Sequence, residues 1–337
     1  MNKYSIIVFL LCFPSIIYAE NNWEKAKSIE KRIHAPIFRQ VDYQITDFGI
    51  IKNEETNAQP IIQQAIDLCS KERGGKVILP NGKFFCKGPI VLKSNVNLYL
   101  SEGCELFFSS DENDYLPVVL TRWEGTDVFN YSPLIYANHA SNIAITGKGI
   151  LNGQGSKNLC NWKKKQKPDQ QRLRTMGTNG VPVWERVFGK GCFLRPAFVE
   201  PIGCSNILIE GITLIDSPFW VIHPVYSSNV IVHDVTVNSY NYNNDGCDPK
   251  SCTDVLIENC QFHTGDDAIA IKSGRDQDGW KVGRPAENII IRNCTMDSKA
   301  NDICVGSKIS SGIRNFLEKH WKMVLTYLAP HYYLFTM

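Results

Sequence analysis

The chain has 337 residues, of which 43% are hydrophobic and 21% are charged, so it has enough apolar residues for a large core. Its formal net charge of +2 is close to neutral. No strong overall field therefore favours nucleic acid as a partner, and we expect none. The length fits one elongated domain or two compact ones.

The first residues have the pattern of a secretory signal peptide. Lys3 is followed by an apolar run from Ile6 to Ile17 and then by the small residue Ala19. The run is too short to span a bilayer. We therefore expect a signal peptide over residues 1–19, export to the periplasm or the medium, and no membrane association of the mature protein.

One helix is predicted near the start of the mature chain. The stretch QPIIQQAIDLCSKERGG carries Ile62, Ala65 and Ile66 at helical spacing and ends at two glycines, Gly74 and Gly75. Strand-like sequence follows it directly. The helix is therefore expected to cap the end of a strand-rich body and to cover its edge.

A repeat runs through the strand-like part of the chain. Segments beginning at 206, 229, 254 and 288 share one pattern, in which Asn or Asp precedes β-branched residues, a polar pair and a second short strand. An earlier copy begins at 142. Short strands and turns at this period predict an all-β, parallel β-helix whose coils share one core. A β-sandwich is the alternative, but hairpin turns between the strands are scarce.

The repeat is interrupted between residues 156 and 192. Residues 156–190 contain nine Lys or Arg against two acidic residues. We interpret this stretch as a basic insertion loop. It is either a solvated loop or a lobe beside an anionic ligand.

The cysteines divide into two groups. Twelve are present, eleven of them after the predicted signal peptide. Cys260 and Cys294 occupy equivalent repeat positions and are expected to stack in the interior. Cys247 and Cys252 flank Asp248 and could form a disulfide, which the sequence leaves open. No Cys/His spacing of a zinc site occurs, so no metal cofactor is expected.

Three aspartates fall at related positions of neighbouring repeats. Asp245 precedes Asp266 by 21 residues, close to one coil, and Asp267 follows directly. They should form an acidic cluster in which one carboxyl keeps its proton, as glycoside hydrolysis requires. A calcium site is the rival interpretation. The nearby Lys272 disfavours it, although Asp248 could serve as a further ligand.

The order of these motifs resembles glycoside hydrolase family 28, the polygalacturonase family. The resemblance extends from about Val41 to Asn315 and is carried by SPFWVIHPVYSSNV, NNDGCDPKSC, TGDDAIAIKSGRDQDG and GRPAENIIIRNC. It implies a right-handed parallel β-helix catalytic domain over 41–315 that hydrolyses α-1,4-galacturonosyl linkages with inversion and without a metal. Polysaccharide lyases with the same fold, and an inactive carbohydrate-binding remnant, are the alternatives.

The resemblance also implies residue roles. The family's motifs match Asn243 to Asp245 and Gly265 to Asp267, which implies Asp266 as general acid and Asp245 with Asp267 as the residues that activate water. Stacked coils place carboxylates nearer than inverting enzymes usually do, so inversion follows from the resemblance alone.

An acidic polysaccharide such as pectin or polygalacturonate is the expected partner. Cations on or after the catalytic coil can pair with uronate carboxylates. His223 lies one coil before Asp245 and either faces the cleft, where it would bind substrate, or is a structural histidine with its hydrogen bonds satisfied. Trp280 or Trp220 could hold a sugar ring, although Trp220 fits a buried position better. The long loop after Gly274 favours action on chain ends. The predicted substrate-binding residues are His223, Asn243, Lys272, Arg275, Lys281 and Arg284.

The chain departs from the family's pattern in two places. Aligning VGSKISSGIRN with the family puts Ala300 where a histidine is usual. After Asn315 the repeat is no longer visible, and the basic pair that the family has further on is absent. We therefore expect residues 316–337 to form an aberrant or truncated tail that impairs activity.

Overall fold

The computed structural model describes residues 24–51, 54–319 and 322–323. The predicted signal peptide lies outside these residues. Short strands pair in parallel and stack coil upon coil in three sheets. The strands of the first sheet, in their order across it, are β1 (Asp42–Gln44), β2 (Gly75–Leu79), β5 (Val96–Leu100), β10 (Ser141–Gly147), β14 (Ser205–Glu210), β16 (Ser228–His233), β18 (Thr253–Glu258), β21 (Ala286–Arg292) and β24 (Ile313–Lys319).

The other two sheets complete each coil. Isolated bridges continue the third sheet between β13 and β20. The second sheet contains β3 (Gly82–Cys86), β6 (Cys104–Phe108), β11 (Ile150–Asn152), β15 (Thr213–Ile215), β17 (Thr236–Ser239), β19 (Gln261–Thr264), β22 (Thr295–Ser298) and β25 (Lys322–Met323). The third sheet contains β4 (Ile90–Val91), β9 (Ile135–Asn138), β13 (Val199–Ile202), β20 (Ile269–Ile271) and β23 (Ile303–Val305).

The repeat seen in the sequence is the coil of the solenoid. Val230 pairs with Val255 and Val255 with Ile289, and all three are buried, so equivalent apolar residues stack along one core. Asparagines at the start of the repeats form a ladder in which the Asn206 side chain bonds to Asn142 at 2.8 Å and Asn229 to Asn206 at 2.8 Å. The parallel β-helix prediction is confirmed.

Two helices contact the solenoid, and Ile29 of the first packs against first-sheet residues between Ala144 and Ile290. Helix α1 covers residues 24–30 and α2 covers Gln59–Lys71. Ile62, Ala65 and Ile66 of α2 are fully buried in the core. The predicted capping helix is therefore confirmed.

A covering lobe lies over the outer face of the third sheet. It consists of the antiparallel hairpin β7 (Val119–Trp123) and β8 (Thr126–Asn130), the short strand β12 (Val187–Phe188), and the helices α3 (Lys167–Thr178) and α4 (Asp276–Val282). We predicted loops in both helical segments, and that was wrong. Helix α3 has few apolar residues, and α4 is only two turns long, so neither gives a clear helical period.

Strand pairing continues past the point where the sequence seemed to lose the repeat. In β24, Phe316 pairs with Ile289 and packs against the core, and β25 then pairs with β22. The predicted break after Asn315 is therefore wrong for the described residues. Residues 324–337 of the predicted tail lie outside them.

All eleven cysteines that the structure describes are free thiols. Cys260 and Cys294 are buried in the core, as predicted. Cys247 and Cys252 are also buried and are not bonded to each other. Burial raises the pKa of the Cys252 thiol to about 11, so it stays protonated and inert near neutral pH.

Candidate active site

The third sheet brings the predicted acids onto neighbouring coils. An isolated bridge joins Cys247 to Ile269, and Ile269 pairs with Ile303 in β23. Since parallel strands keep their register, the residues two positions earlier lie in one column. These residues are Asp245, Asp267 and Asn301. Asp266 lies directly beside this column, so the predicted cluster forms.

Asp266 is half-buried and its two oxygens accept different hydrogen bonds. Oδ2 accepts from Asn243 Nδ2 at 2.9 Å, and Oδ1 accepts from the Asp267 N–H at 3.1 Å. Burial raises the pKa of Asp266, and the Asp245 carboxylate raises it further, while the bonds from Asn243 and Asp267 oppose the shift. The net effect favours a protonated carboxyl at higher pH than an ordinary aspartate allows.

Two cations fix the orientation of the Asn243 amide. Its Oδ1 accepts from Lys163 Nζ at 2.9 Å and from Arg195 Nη2 at 2.7 Å. The amide nitrogen is therefore turned toward Asp266. The predicted substrate-binding role of Asn243 stays a proposal, but the residue clearly contacts the proposed acid.

Lys272 lies beneath the cluster and joins two buried carboxylates. Its Nζ donates to Asp245 Oδ2 at 2.8 Å and to Asp248 Oδ2 at 2.6 Å. The Lys272 side chain is only 2% exposed, which corrects our expectation that it pairs with substrate. Burial raises the pKa of Asp248 well above its usual value, and the neighbouring Asp245 adds to this. Lys272 thus provides the counter-charge for Asp245.

Asp267 is held from the next coil. Its Oδ1 accepts from the N–H of Asn301 at 3.2 Å and from Asn301 Nδ2 at 2.7 Å. The alignment put Ala300 at the position of the family's histidine. The strand register puts Asn301 above Asp267, because Asn301 lies two residues before Ile303. The assignment of Ala300 to the histidine position stays a prediction.

Gly265 allows the previous coil to lie close behind Asp266. A Cβ at this position would lie 2.3 Å from the carbonyl oxygen of Asn241 and 2.5 Å from that of Tyr240. We expect Gly265→Ala to lower kcat more than tenfold, because relief of the clash moves Asp266 away from the substrate. Steady-state kinetics with a thermal melt checks this, and Gly189→Ala, whose added Cβ would meet only the side chains of Val118 and Leu116, is the control. Unchanged kcat would contradict the expectation.

His223 does not line an open cleft. Its ring is fully buried, bonds through Nδ1 to Glu200 at 3.1 Å, and packs edge-on against Trp220 at 4.7 Å between ring centroids. Our expectation that it faces the substrate is therefore wrong, because the covering lobe closes over this part of the sheet. Trp220 is buried, as expected, at 3% exposure.

The predicted cations after the catalytic coil are spread over the covering lobe. The N–H of Arg275 bonds to the Gly125 carbonyl at 3.0 Å, while Lys281 in α4 is exposed. Arg284 lies 5.6 Å from the centre of the Tyr226 ring. Trp280 remains 63% exposed and could still stack on a sugar.

Several residues around the acids were not predicted from the sequence. Lys163 and Arg195 contact Asn243, and Glu124 and Lys308 face the same group of charges. Lys163 lies in the basic insertion, whose net charge was the one available signal. Glu124 and Arg195 lie outside the predicted motifs, and Lys308 lies in the stretch VGSKISSGIRN but was not singled out.

A metal ion does not suit the acid cluster. Within the described ranges, no group of three or more His, Cys, Asp or Glu side chains is arranged to hold one. The ammonium of Lys272 already occupies the position between Asp245 and Asp248 where a shared cation would bind.

No helix of the described residues is both long and apolar enough to cross a bilayer.

The sequence model described as glycosyl hydrolases family 28 matches residues 121–315. The chain belongs to this family. A probable polygalacturonase of Vitis vinifera is 31% identical over 284 residues, which is 80% of this chain and 52% of that protein. The exo-poly-alpha-D-galacturonosidase of Dickeya chrysanthemi is 26% identical over 300 residues, 82% of this chain and 49% of that one.

A solved structure is also similar to this family 28 protein. The hyperthermoactive exopolygalacturonase of Thermotoga maritima has 41% sequence identity and a TM-score of 0.85, and the match covers 88% of this chain and 70% of that one. The right-handed parallel β-helix is thereby confirmed. The chain spans about half the length of the curated relatives it matches.

Proposed function

We propose that this family 28 protein hydrolyses α-1,4-galacturonosyl linkages of polygalacturonate or pectin at chain ends, with inversion and without a metal. The observation that carries the proposal is the half-buried Asp266 beside Asp245, with its pKa raised by burial and by that neighbour. Such a carboxyl can hold a proton and release it to a leaving group. The relatives named as polygalacturonases support the substrate class.

In the proposed reaction, Asp266 donates its proton to the glycosidic oxygen as the bond between that oxygen and the anomeric carbon breaks. Water attacks the anomeric carbon from the opposite face and loses a proton to Asp245 or Asp267. Lys272 holds the Asp245 carboxylate by a hydrogen bond, and Asn301 orients Asp267. Asn243 orients Asp266.

Positive charge near the acids supports an anionic sugar chain as substrate. Lys163 and Arg195 both lie within hydrogen-bonding distance of Asn243, and the Lys308 ammonium is near enough to Asp245 for their charges to interact. Cations at this distance attract uronate carboxylates. The signal-peptide pattern of residues 1–19 supports export of the protein to the periplasm or the medium.

The product separates this proposal from a lyase. We expect incubation with polygalacturonate to generate new reducing ends without the ultraviolet absorbance of an unsaturated uronate, and to release single galacturonate units from the start. Ultraviolet absorbance that rises with the reducing ends would establish a lyase. Binding of polygalacturonate without either signal would leave only the carbohydrate-binding alternative.

A further inference from the structure

Glu124 lies at the tip of the β7–β8 hairpin in an unusual backbone conformation. Its φ is +42° and that of Gly125 is +90°. A non-glycine residue rarely adopts this conformation, and such strain concentrates where a side chain has a specific task. The tip is fixed, because Arg275 donates its N–H to the Gly125 carbonyl at 3.0 Å and its Nε to the Glu124 carbonyl at 3.3 Å.

The two oxygens of the Glu124 carboxylate have different surroundings. Oε2 accepts from Gln170 Nε2 at 2.8 Å and from Arg174 Nη2 at 2.7 Å, both in α3. Among the described residues, none donates to Oε1, and the side chain is 12% exposed. One oxygen therefore anchors the side chain to the lobe, while the other is an open acceptor.

Cations lie beside this carboxylate, and Arg275 Nη2 is 3.9 Å from its Oε2. Burial opposes ionisation of Glu124, but Lys308 and the bond from Arg174 hold its pKa below the usual value. Burial lowers the pKa of Lys308, and the charges of Lys272 and Arg275 contribute. The Lys308 ammonium lies 5.6 Å from the centre of the Trp220 ring. Together these groups leave a surplus of positive charge around one carboxylate.

This site adjoins the acid cluster. The charge of Asp245 acts on the Lys308 ammonium, and the charges of Glu124, Asp245 and Asp266 all act on Arg195. Arg195 also bonds to Asn243, which bonds to Asp266, so the Glu124 site and the acids share the same group of cations. The ligand must supply an anion for the cations and a hydroxyl donor for Oε1. A uronate unit supplies both, whereas a sulfate or phosphate ion supplies no donor.

We propose that Glu124 Oε1 binds the hydroxyl that only a terminal uronate unit carries, while Lys308 and Arg275 bind the carboxylate of the same unit. An internal unit of a 1,4-linked chain has that oxygen tied up in a glycosidic bond. The anchored hairpin then restricts the site to chain ends. This inference rests on the proposed hydrolysis and names the residues that select the substrate's end.

The variant Glu124→Gln tests the proposal with little structural change. Its amide oxygen can still accept from Gln170 and Arg174, while its NH₂ replaces the open acceptor by a donor. The control is Glu185→Gln, an exposed glutamate elsewhere in the lobe. The substrates are trigalacturonate, trigalacturonate whose non-reducing end is a 4,5-unsaturated unit, and trigalacturonate whose reducing end is reduced to the alditol.

We expect the unmodified protein to hydrolyse intact trigalacturonate at least about tenfold better than one of the end-modified forms, the effect of one hydrogen bond to a charged group. Glu124→Gln should abolish that preference and raise KM by about tenfold or more while kcat changes less. Glu185→Gln should keep the end preference and the KM of the unmodified protein. If Glu124→Gln retains the KM and the end preference, the proposal is overturned.

A binding measurement separates this inference from the proposed function. In the Asp266→Asn background, calorimetric titration with intact trigalacturonate should show about tenfold weaker binding when Glu124→Gln is added. If the unmodified protein hydrolyses nothing while this loss of binding is seen, the proposed hydrolysis is refuted and the proposed chain-end site is supported. If hydrolysis occurs and neither binding nor end preference depends on Glu124, only the proposed chain-end site is refuted.

Discussion

Asp266→Asn should reduce kcat on trigalacturonate by about 10²- to 10⁴-fold, the usual contribution of a general acid. The asparagine oxygen can still accept the Asp267 N–H, so the turn after β19 should keep its shape, while the bond from Asn243 is lost. KM should change little, because the lost interaction is made only in the transition state. Steady-state kinetics of the two proteins, with a thermal melt of each, measures this effect.

The pH dependence gives a second test of Asp266. Since the acid must be protonated, activity should fall as pH rises through its pKa, and burial moves that fall to higher pH than an ordinary aspartate would give. Asp276→Asn, an exposed position, is the matched control and should leave the profile unchanged. Activity of Asp266→Asn close to that of the parent protein would refute the acid assignment.

Lys272→Met should lower both stability and activity. The change leaves Asp245 and Asp248 buried without their shared cation, and breaking a buried ion pair typically costs about 3–5 kcal/mol of unfolding free energy. The change also removes the 2.8 Å bond that holds the Asp245 carboxylate in place, so we expect kcat to fall by about 100-fold or more. Denaturant unfolding and kinetics on one preparation measure both effects.

Two variants distinguish a role in catalysis from a role in folding. Lys148→Met removes an exposed lysine of the β10–β11 turn and should change neither the unfolding free energy nor kcat. Asp248→Asn leaves the Lys272–Asp245 pair intact and should retain most of the activity. Because Lys272 lowers the pKa of Asp266, Lys272→Met should also move the alkaline fall in activity to higher pH. A folded Lys272→Met protein with the parent's kcat and pH profile would contradict this role.

The repeat made the fold and the acid cluster predictable. Most coils begin with Asn, whose side-chain amide can bond to the coil before, as Asn206 does to Asn142. That regularity allows positions to be compared between coils. The spacing alone therefore places Asp245 beside Asp266 and Asp267.

The covering lobe was not predictable in the same way. Its residues lie outside the repeat, so no period shows which of them reach the acids. Glu124 and Lys163 contact the site only because the hairpin and the insertion fold over the third sheet. The same lobe buries His223 and Lys272, which a repeat position alone left on an open face. Burial by a distant segment therefore decided whether these residues meet substrate or support other side chains.

The anomeric form of the first product tests the central claim most directly. Proton NMR spectra recorded in the first minutes of trigalacturonate hydrolysis, before mutarotation, show which anomer is released. Our account predicts that the α-linked substrate first yields the β-anomer, since water attacks opposite the bond that Asp266 protonates. Initial release of the α-anomer, or of an unsaturated product, would contradict it.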